Sequence, residues 1–305
     1  MKKIPEKIKE IRGWVAKQEA GSKSISFSQL SVYLNCPKCW ERSYILKEAP
    51  FVPSIHLIFG TAIHEVLQEW LDLLYNKTIK EANEMDMAGL LQSKMRDLYT
   101  KEKTSLGKDF STAEEMADFY ESGVAILDYV RKHRKEHFNT KDEWLVGCEI
   151  PILFPLRDRF YFKGFIDVLL FDEFTGRWKI IDFKTSTAGW HSEKSDKHKT
   201  NQVLLYKYFL SKQFNIDIDT IDVEYLIVKR KLPENQEFPA MSKRIQTFIP
   251  ANKKPSINSA VKDVENFCKD VLLETGGYQQ KDYTATPSEK SCKWCVFRDT
   301  CQFHS

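Results

Sequence analysis

The stretch from residue 164 to 184 constrains the fold more than any other. Gly164-Phe165-Ile166-Asp167-Val168-Leu169-Leu170-Phe171 and Trp178-Lys179-Ile180-Ile181-Asp182-Phe183-Lys184 are β-rich runs joined by Asp172-Glu173-Phe174-Thr175-Gly176-Arg177. A polar turn containing Thr-Gly between two such runs predicts an antiparallel hairpin. If the hairpin is symmetric about the Phe174–Thr175 bond, Asp167 and Asp182 face each other. Opposed residues hold their Cβ atoms roughly 4.5 to 5.5 Å apart, where like charges are destabilising. Lys184 shares the face of Asp182 because side chains alternate with period two, and Ile166, Val168, Ile181 and Phe183 fall on the other, apolar face. A surface salt-bridge cluster would need no function, but Ile-Ile-Asp-Phe-Lys is apolar enough to be covered. Two covered carboxylates call for a divalent cation with oxygen ligands, such as Mg²⁺ or Mn²⁺.

The remaining composition bounds the architecture. With 305 residues, 42% of them hydrophobic and 29% charged, the chain is one large or two smaller folded units, not a disordered or low-complexity polymer. The most apolar stretch, residues 165–171, is far too short to span a bilayer. Met1-Lys2-Lys3 is followed by charges where a signal peptide needs apolar residues, so a cytoplasmic location in a bacterial or phage-infected cell is expected, with no membrane partner. The net charge of +3 specifies no partner by itself.

Five segments are expected. Residues 1–23 are charged, and helical or loosely attached. Residues 24–75 hold two amphipathic helices, the first capped by Ser28 with Leu30, Tyr33 and Leu34 inward. The second is led in by Gly60-Thr61-Ala62 and has Ile63, Leu67, Trp70, Leu71 and Leu74 inward and His64 near its start. Residues 76–143 form a helical insertion whose basic run Arg131-Lys132-His133-Arg134-Lys135 reads as a solvated helix face. Residues 144–280 alternate strands and helices, which predicts an α/β core with a mixed sheet flanked by helices. Residues 281–305 carry a cysteine cluster.

The hairpin with its flanking residues resembles the PD-(D/E)XK nuclease superfamily. Gly164-x-x-Asp167 and Asp182-x-Lys184 are similar to its core, while Gly60-x-x-x-His64 and Gln202-x-x-x-Tyr206 resemble the further signatures of its RecB-like branch. The resemblance implies a restriction-endonuclease-like core with the cation held by His64, Asp167, Asp182 and the carbonyl of Phe183. Lys184 would orient or activate the attacking water or neutralise charge on the phosphate. Gln202 and Tyr206 would position Lys184 and the substrate strand, and Glu149 would act through a water or a neighbouring ligand. A nitrogen ligand also favours Mn²⁺.

Seven cysteines in a reducing compartment do not read as a disulfide framework. Cys292-x-x-Cys295-x-x-x-x-x-Cys301 needs a fourth thiolate. Cys36 is the one implied by resemblance to iron-sulfur members of this branch, including CRISPR-associated RecB-type exonucleases and AddB nuclease domains, which suggests a [4Fe-4S] cluster. Zinc on Cys36-x-x-Cys39 and Cys292-x-x-Cys295 is the alternative. Cys148 and Cys268 read as small buried hydrophobes.

The loop after Lys184 is polar and basic with one exposed-looking aromatic, so Trp190 would stack a base and Lys194, Lys197 and Lys199 would contact phosphates, unless the loop is only solvated and mobile. Lys229-Arg230-Lys231 and Lys243-Arg244 offer a second basic strip. Together these readings give a metal-dependent DNA exonuclease acting on single-stranded or frayed ends in repair, recombination or phage DNA metabolism, with a helicase or recombination partner. The alternatives are a CRISPR adaptation factor or other DNA-end-binding module that cuts little, and a zinc-stapled DNA-binding protein. Oligomeric state is not legible.

Overall fold

The computed structural model describes residues 3–50, 52–190, 197–235, 239–274 and 277–303. The N-terminal segment is built into the body. α1 (Glu6–Gly13) buries Ile8 and Ile11, and Arg12 donates to the carbonyls of Leu145 and Val146 at 2.5 and 3.0 Å. A short strand, β1 (Lys23–Ile25), leads to α2 (Phe27–Asn35). The cap of α2 is Ser26, whose hydroxyl accepts from the Gln29 N–H at 3.2 Å, and not the expected Ser28. Ser26 is extended and outside the helix, as a cap must be, whereas Ser28 already lies in the first turn.

After α3 (Pro37–Trp40), the long helix α4 (Ile55–Asn76) starts at a Ser54 cap, so Gly60 is interior and does not lead the helix in. Buried Ile55, Ile58 and Phe59 extend the apolar stripe about two turns N-terminally of Ile63. α5 (Ile79–Glu84), α6 (Met87–Leu106) and α7 (Ala113–Lys132) pack on α4 through Ala82, Leu91, Met95, Phe119, Ile126 and Leu127.

Strands β2 (Glu143–Arg157), β3 (Phe160–Asp172) and β4 (Arg177–Ser186) form an antiparallel meander. α8 (Lys197–Phe214) then carries the chain across to β5 (Ile221–Lys229), parallel to β4. α9 (Pro239–Ser242), β6 (Ile245–Phe248), α10 (Lys254–Val271) and α11 (Glu289–Cys292) follow. Among the described residues this gives one six-stranded mixed sheet flanked by helices, as the alternation of periods predicts. One face is covered by α1, α2, α8 and α10 around Phe160, Phe162, Phe209 and Phe267; the other by α4, α6 and α7 around Ile63, Trp70, Val168 and Phe183. Among the described residues no helix is long and apolar enough to cross a membrane.

The hairpin has the register its symmetry predicts, Val168 opposite Ile181 through Asp172 opposite Arg177. The ladder stops one pair short of Asp167 and Asp182. On the β3 edge away from β2, β1 pairs Phe160 to Phe162 and β4 pairs from Val168 onward, so residues 163–167 face a gap in the sheet. At this gap the alternation also breaks. Ile166 packs into the first core and Val168 into the second, so Ile166 does not share the face of Val168, Ile181 and Phe183 as expected. The residue across β2 is Glu149, a non-glycine at φ 52, between the pairs Cys148–Val168 and Ile150–Ile166. Its left-handed backbone turns the chain in mid-strand, a conformation that costs on the order of 1–3 kcal/mol and that the surrounding fold must enforce.

Candidate active site

The sheet gap is where the candidate residues meet. With no strand partner beyond Val168, β3 satisfies the next amide of β4 through a side chain: the Phe183 N–H donates to Asp167 Oδ2 at 2.8 Å. That bond fixes one carboxylate beside the other. Asp182 is wholly buried, and neither of its oxygens has a hydrogen-bond partner. Lys184 Nζ stands 2.5 Å from Asp182 Oδ2, a charge contact without hydrogen-bond direction. The ammonium is held from the other side by Gln202 Oε1 at 3.0 Å, and the Gln202 amide donates to Tyr206 Oη at 3.1 Å. Gln202 and Tyr206 lie one turn apart on α8, so one helix face presents the whole relay.

Gly164 explains itself in this setting. A Cβ there would sit 2.6 Å from Tyr206 Cε1, closer than any side chain tolerates. The glycine lets the ring lie against the β3 backbone, filling the edge that no strand covers.

From the opposite face, α4 brings His64, whose Nδ1 is 3.5 Å from Asp167 Oδ2 and whose ring meets the Phe183 ring edge-on. One turn further on, Gln68 donates to Glu149 Oε1 at 2.7 Å and reaches the Asp167 carbonyl at 3.4 Å. The sequence reading missed Gln68, although its spacing of four from His64 puts both on one face of α4.

Burial sets the electrostatics. It pushes both Asp167 and Asp182 up to about 6, against the pull of Lys184. Burial likewise lowers the His64 imidazole, opposed by Asp182, and raises the Tyr206 phenol. Among the described residues no three His, Cys, Asp or Glu side chains are already drawn together as a metal cage. The reason is visible: Lys184 lies on Asp182, and Asp167 is turned to the Phe183 amide. The donors nevertheless suit a hard divalent cation. Two carboxylates with raised proton affinity adjoin an imidazole and the Phe183 backbone, and the buried Asp182, whose one close partner is the Lys184 ammonium, keeps Oδ1 open to a further cation.

The expected DNA contacts fare differently. Trp190 is not exposed: its indole packs on Tyr225 and Phe248, and Gln246 bonds its backbone N–H and carbonyl at 2.7 Å each. Lys194 falls outside the described residues, Lys197 opens α8, and Lys199 is exposed near its start. The second basic strip is largely engaged within the fold. Arg230 and Lys231 both pair with Asp118 of α7, Lys243 pairs with Glu136 at 3.1 Å, Lys229 is buried, and Arg244 donates to the carbonyls of Lys229 and Arg230.

Cys36, Cys39, Cys292, Cys295 and Cys301 line one cavity of about 740 Å³ between α2–α3 and the C-terminal segment, none in a disulfide. Cys295 and Cys39 approach to 3.9 Å between sulfurs, and burial pushes the Cys39 thiol up to about 12. The five line one cavity, but among the described residues no three of them are drawn close enough to hold a metal. Cys268 is buried as expected, while Cys148 is only half-buried.

Residues 24–302 match the family model of the PD-(D/E)XK nuclease superfamily. No curated protein matches the chain.

Proposed function

Because the chain belongs to the PD-(D/E)XK nuclease superfamily, whose members typically use Mg²⁺ or Mn²⁺, we propose that it is a deoxyribonuclease acting as an exonuclease on single-stranded or frayed DNA ends. The observation that carries this reading is the meeting of Asp167, Asp182 and Lys184 at the gap in the sheet, backed by His64 on one side and Gln202 on the other. His64, Asp167, Asp182 and the Phe183 carbonyl would hold the cation. When bound, it would neutralise the scissile phosphate and acidify a water.

The chain's own groups do the rest. The two carboxylates, ionised above about pH 6, supply the negative charge of the site. Lys184, steadied by Gln202, is placed to orient the attacking water or to neutralise charge on the phosphate. The water oxygen attacks phosphorus and gives up a proton to solvent, the P–O3′ bond breaks, and the departing oxygen takes a proton from solvent. Tyr206, seated against Gly164, fills the β3 edge and fixes Gln202 beside Lys184.

The same reading gives the five-thiol cavity a [4Fe-4S] cluster on Cys36, Cys292, Cys295 and Cys301, supported by their common cavity. The short Cys39–Cys295 approach favours zinc as the second reading. Iron, sulfide and zinc analysis of the purified protein decides between them. The nuclease reading is tested with a single strand labelled at each end in turn, with Mn²⁺ and with EDTA. Wild type should shorten the strand progressively from one end, and Asp182→Ala and Lys184→Ala should be inert while folded. Retained Mn²⁺-dependent cleavage in both variants would sink the mechanism.

A further inference from the structure

With most of the strip at the ends of β5 and β6 held in contacts within the fold and Trp190 packed away, the route of the strand is sought elsewhere. The rim of the cysteine cavity is the place where exposed aromatic and cationic groups coincide. Trp294, between Cys292 and Cys295, is 84% exposed, with Val296, Phe303 and Tyr44 open beside it. Lys293 Nζ lies 5.5 Å from the Trp294 ring centroid. Lys199, Lys293 and Arg298 line the same cavity and are exposed, with no carboxylate partner among the described residues. Lys38 and Arg42, deeper in, are paired with Glu41, Asp282 and Glu48 and serve the clip itself.

Lys199 ties this rim to the reaction site. It lies three residues before Gln202 on α8, about 4.5 Å along the helix axis, and Gln202 holds Lys184. We propose that the C-terminal cysteine segment is a single-stranded-DNA track: Trp294 stacks a base, Lys293 and Arg298 hold the flanking phosphates, and Lys199 hands the strand to the cleavage site. An aromatic platform flanked by cations is the chemistry that grips single strands irrespective of sequence, whereas a protein partner docking on the apolar residues would leave unused three cations that have no carboxylate partner among the described residues. The inference rests on the proposed nuclease reading and deepens it.

The test is fluorescence anisotropy of labelled dT20 in EDTA, where nothing is cut, together with Mn²⁺-dependent hydrolysis of thymidine 5′-p-nitrophenyl phosphate, which carries a single nucleoside. Trp294→Ala should weaken dT20 binding about 5- to 100-fold, Trp294→Phe should restore most of it, and turnover of the small ester should be unchanged. Lys293→Gln with Arg298→Gln should reduce the slope of log affinity against log salt by about 1.4. Wild-type binding with unaltered affinity in Trp294→Ala would overturn this inference alone and leave the patch to a protein partner. A wild type with no measurable dT20 affinity overturns the proposed function as well.

Discussion

Asp182 offers the sharpest physical test, because its folded environment favours the proton. Its pKa is pushed from 3.8 to about 6, chiefly by burial, with Asp167 adding to the shift and Lys184 opposing it. The folded state keeps the proton between these values while the unfolded chain releases it. Metal-free stability therefore falls as pH rises from about 4 to about 6 and stays low above that. For this one group the loss between pH 4 and pH 8 is roughly 2 to 3 kcal/mol, at 1.36 kcal/mol per unit.

Asp182→Asn carries no such charge, so its stability difference from wild type should move in its favour by that amount across the same range. Any fixed packing cost of the amide cancels in the comparison. For a chain of this length the change corresponds to about 4 °C in melting temperature. The assay is thermal unfolding in EDTA at pH 4 and pH 8. Adding Mg²⁺ or Mn²⁺ at pH 8 should stabilise wild type and leave Asp182→Asn nearly unmoved. A pH-independent difference between the two proteins would refute the burial account of the site.

Further expectations follow from the same geometry. Gly164→Ala forces its methyl into the Tyr206 ring, so it should cost about 1–3 kcal/mol and lower turnover by an order of magnitude or more, with unfolding and cleavage measured together. Trp40, fully buried among Tyr33, Phe267, Tyr278 and Tyr283, has an indole N–H without a partner. Trp40→Ala should cost about 3–5 kcal/mol, and Trp40→Phe less than half of that, because it also removes the unsatisfied donor; denaturant melts decide. Arg230→Gln with Lys231→Gln should lower the salt slope of dT20 binding by clearly less than the roughly 1.4 that two free cations would give, since both share Asp118.

What the sequence disclosed was local. The hairpin register was legible because turn chemistry and strand symmetry fix it from within, and the motif residues came together because each sits at a helix or strand spacing that dictates its face. The opening of the ladder at Asp167, the reversed side of Ile166 and the left-handed Glu149 were not legible. They depend on a carboxylate reaching an amide sixteen residues on, and on Gln68 arriving from another helix. The basic strips misled for the same reason. Asp118 and Glu136 lie more than a hundred residues from the cations they neutralise, and the aromatic neighbours of Trp190 lie on β5 and β6. β1 escaped notice because three residues are too few to show a period.

That short strand bears on how the chain can be cut down. A protein trimmed to the matched span would begin inside β1 and lack α1 altogether. It would lose Ile8 and Ile11 from the core and leave the Leu145 and Val146 carbonyls without Arg12. It would also weaken the pairing on the β3 edge beside the sheet gap, and an unpaired edge recruits strands from other molecules. The cooperative folding unit is thus larger than the homologous one, and any minimal nuclease cut from this chain should keep its first two dozen residues.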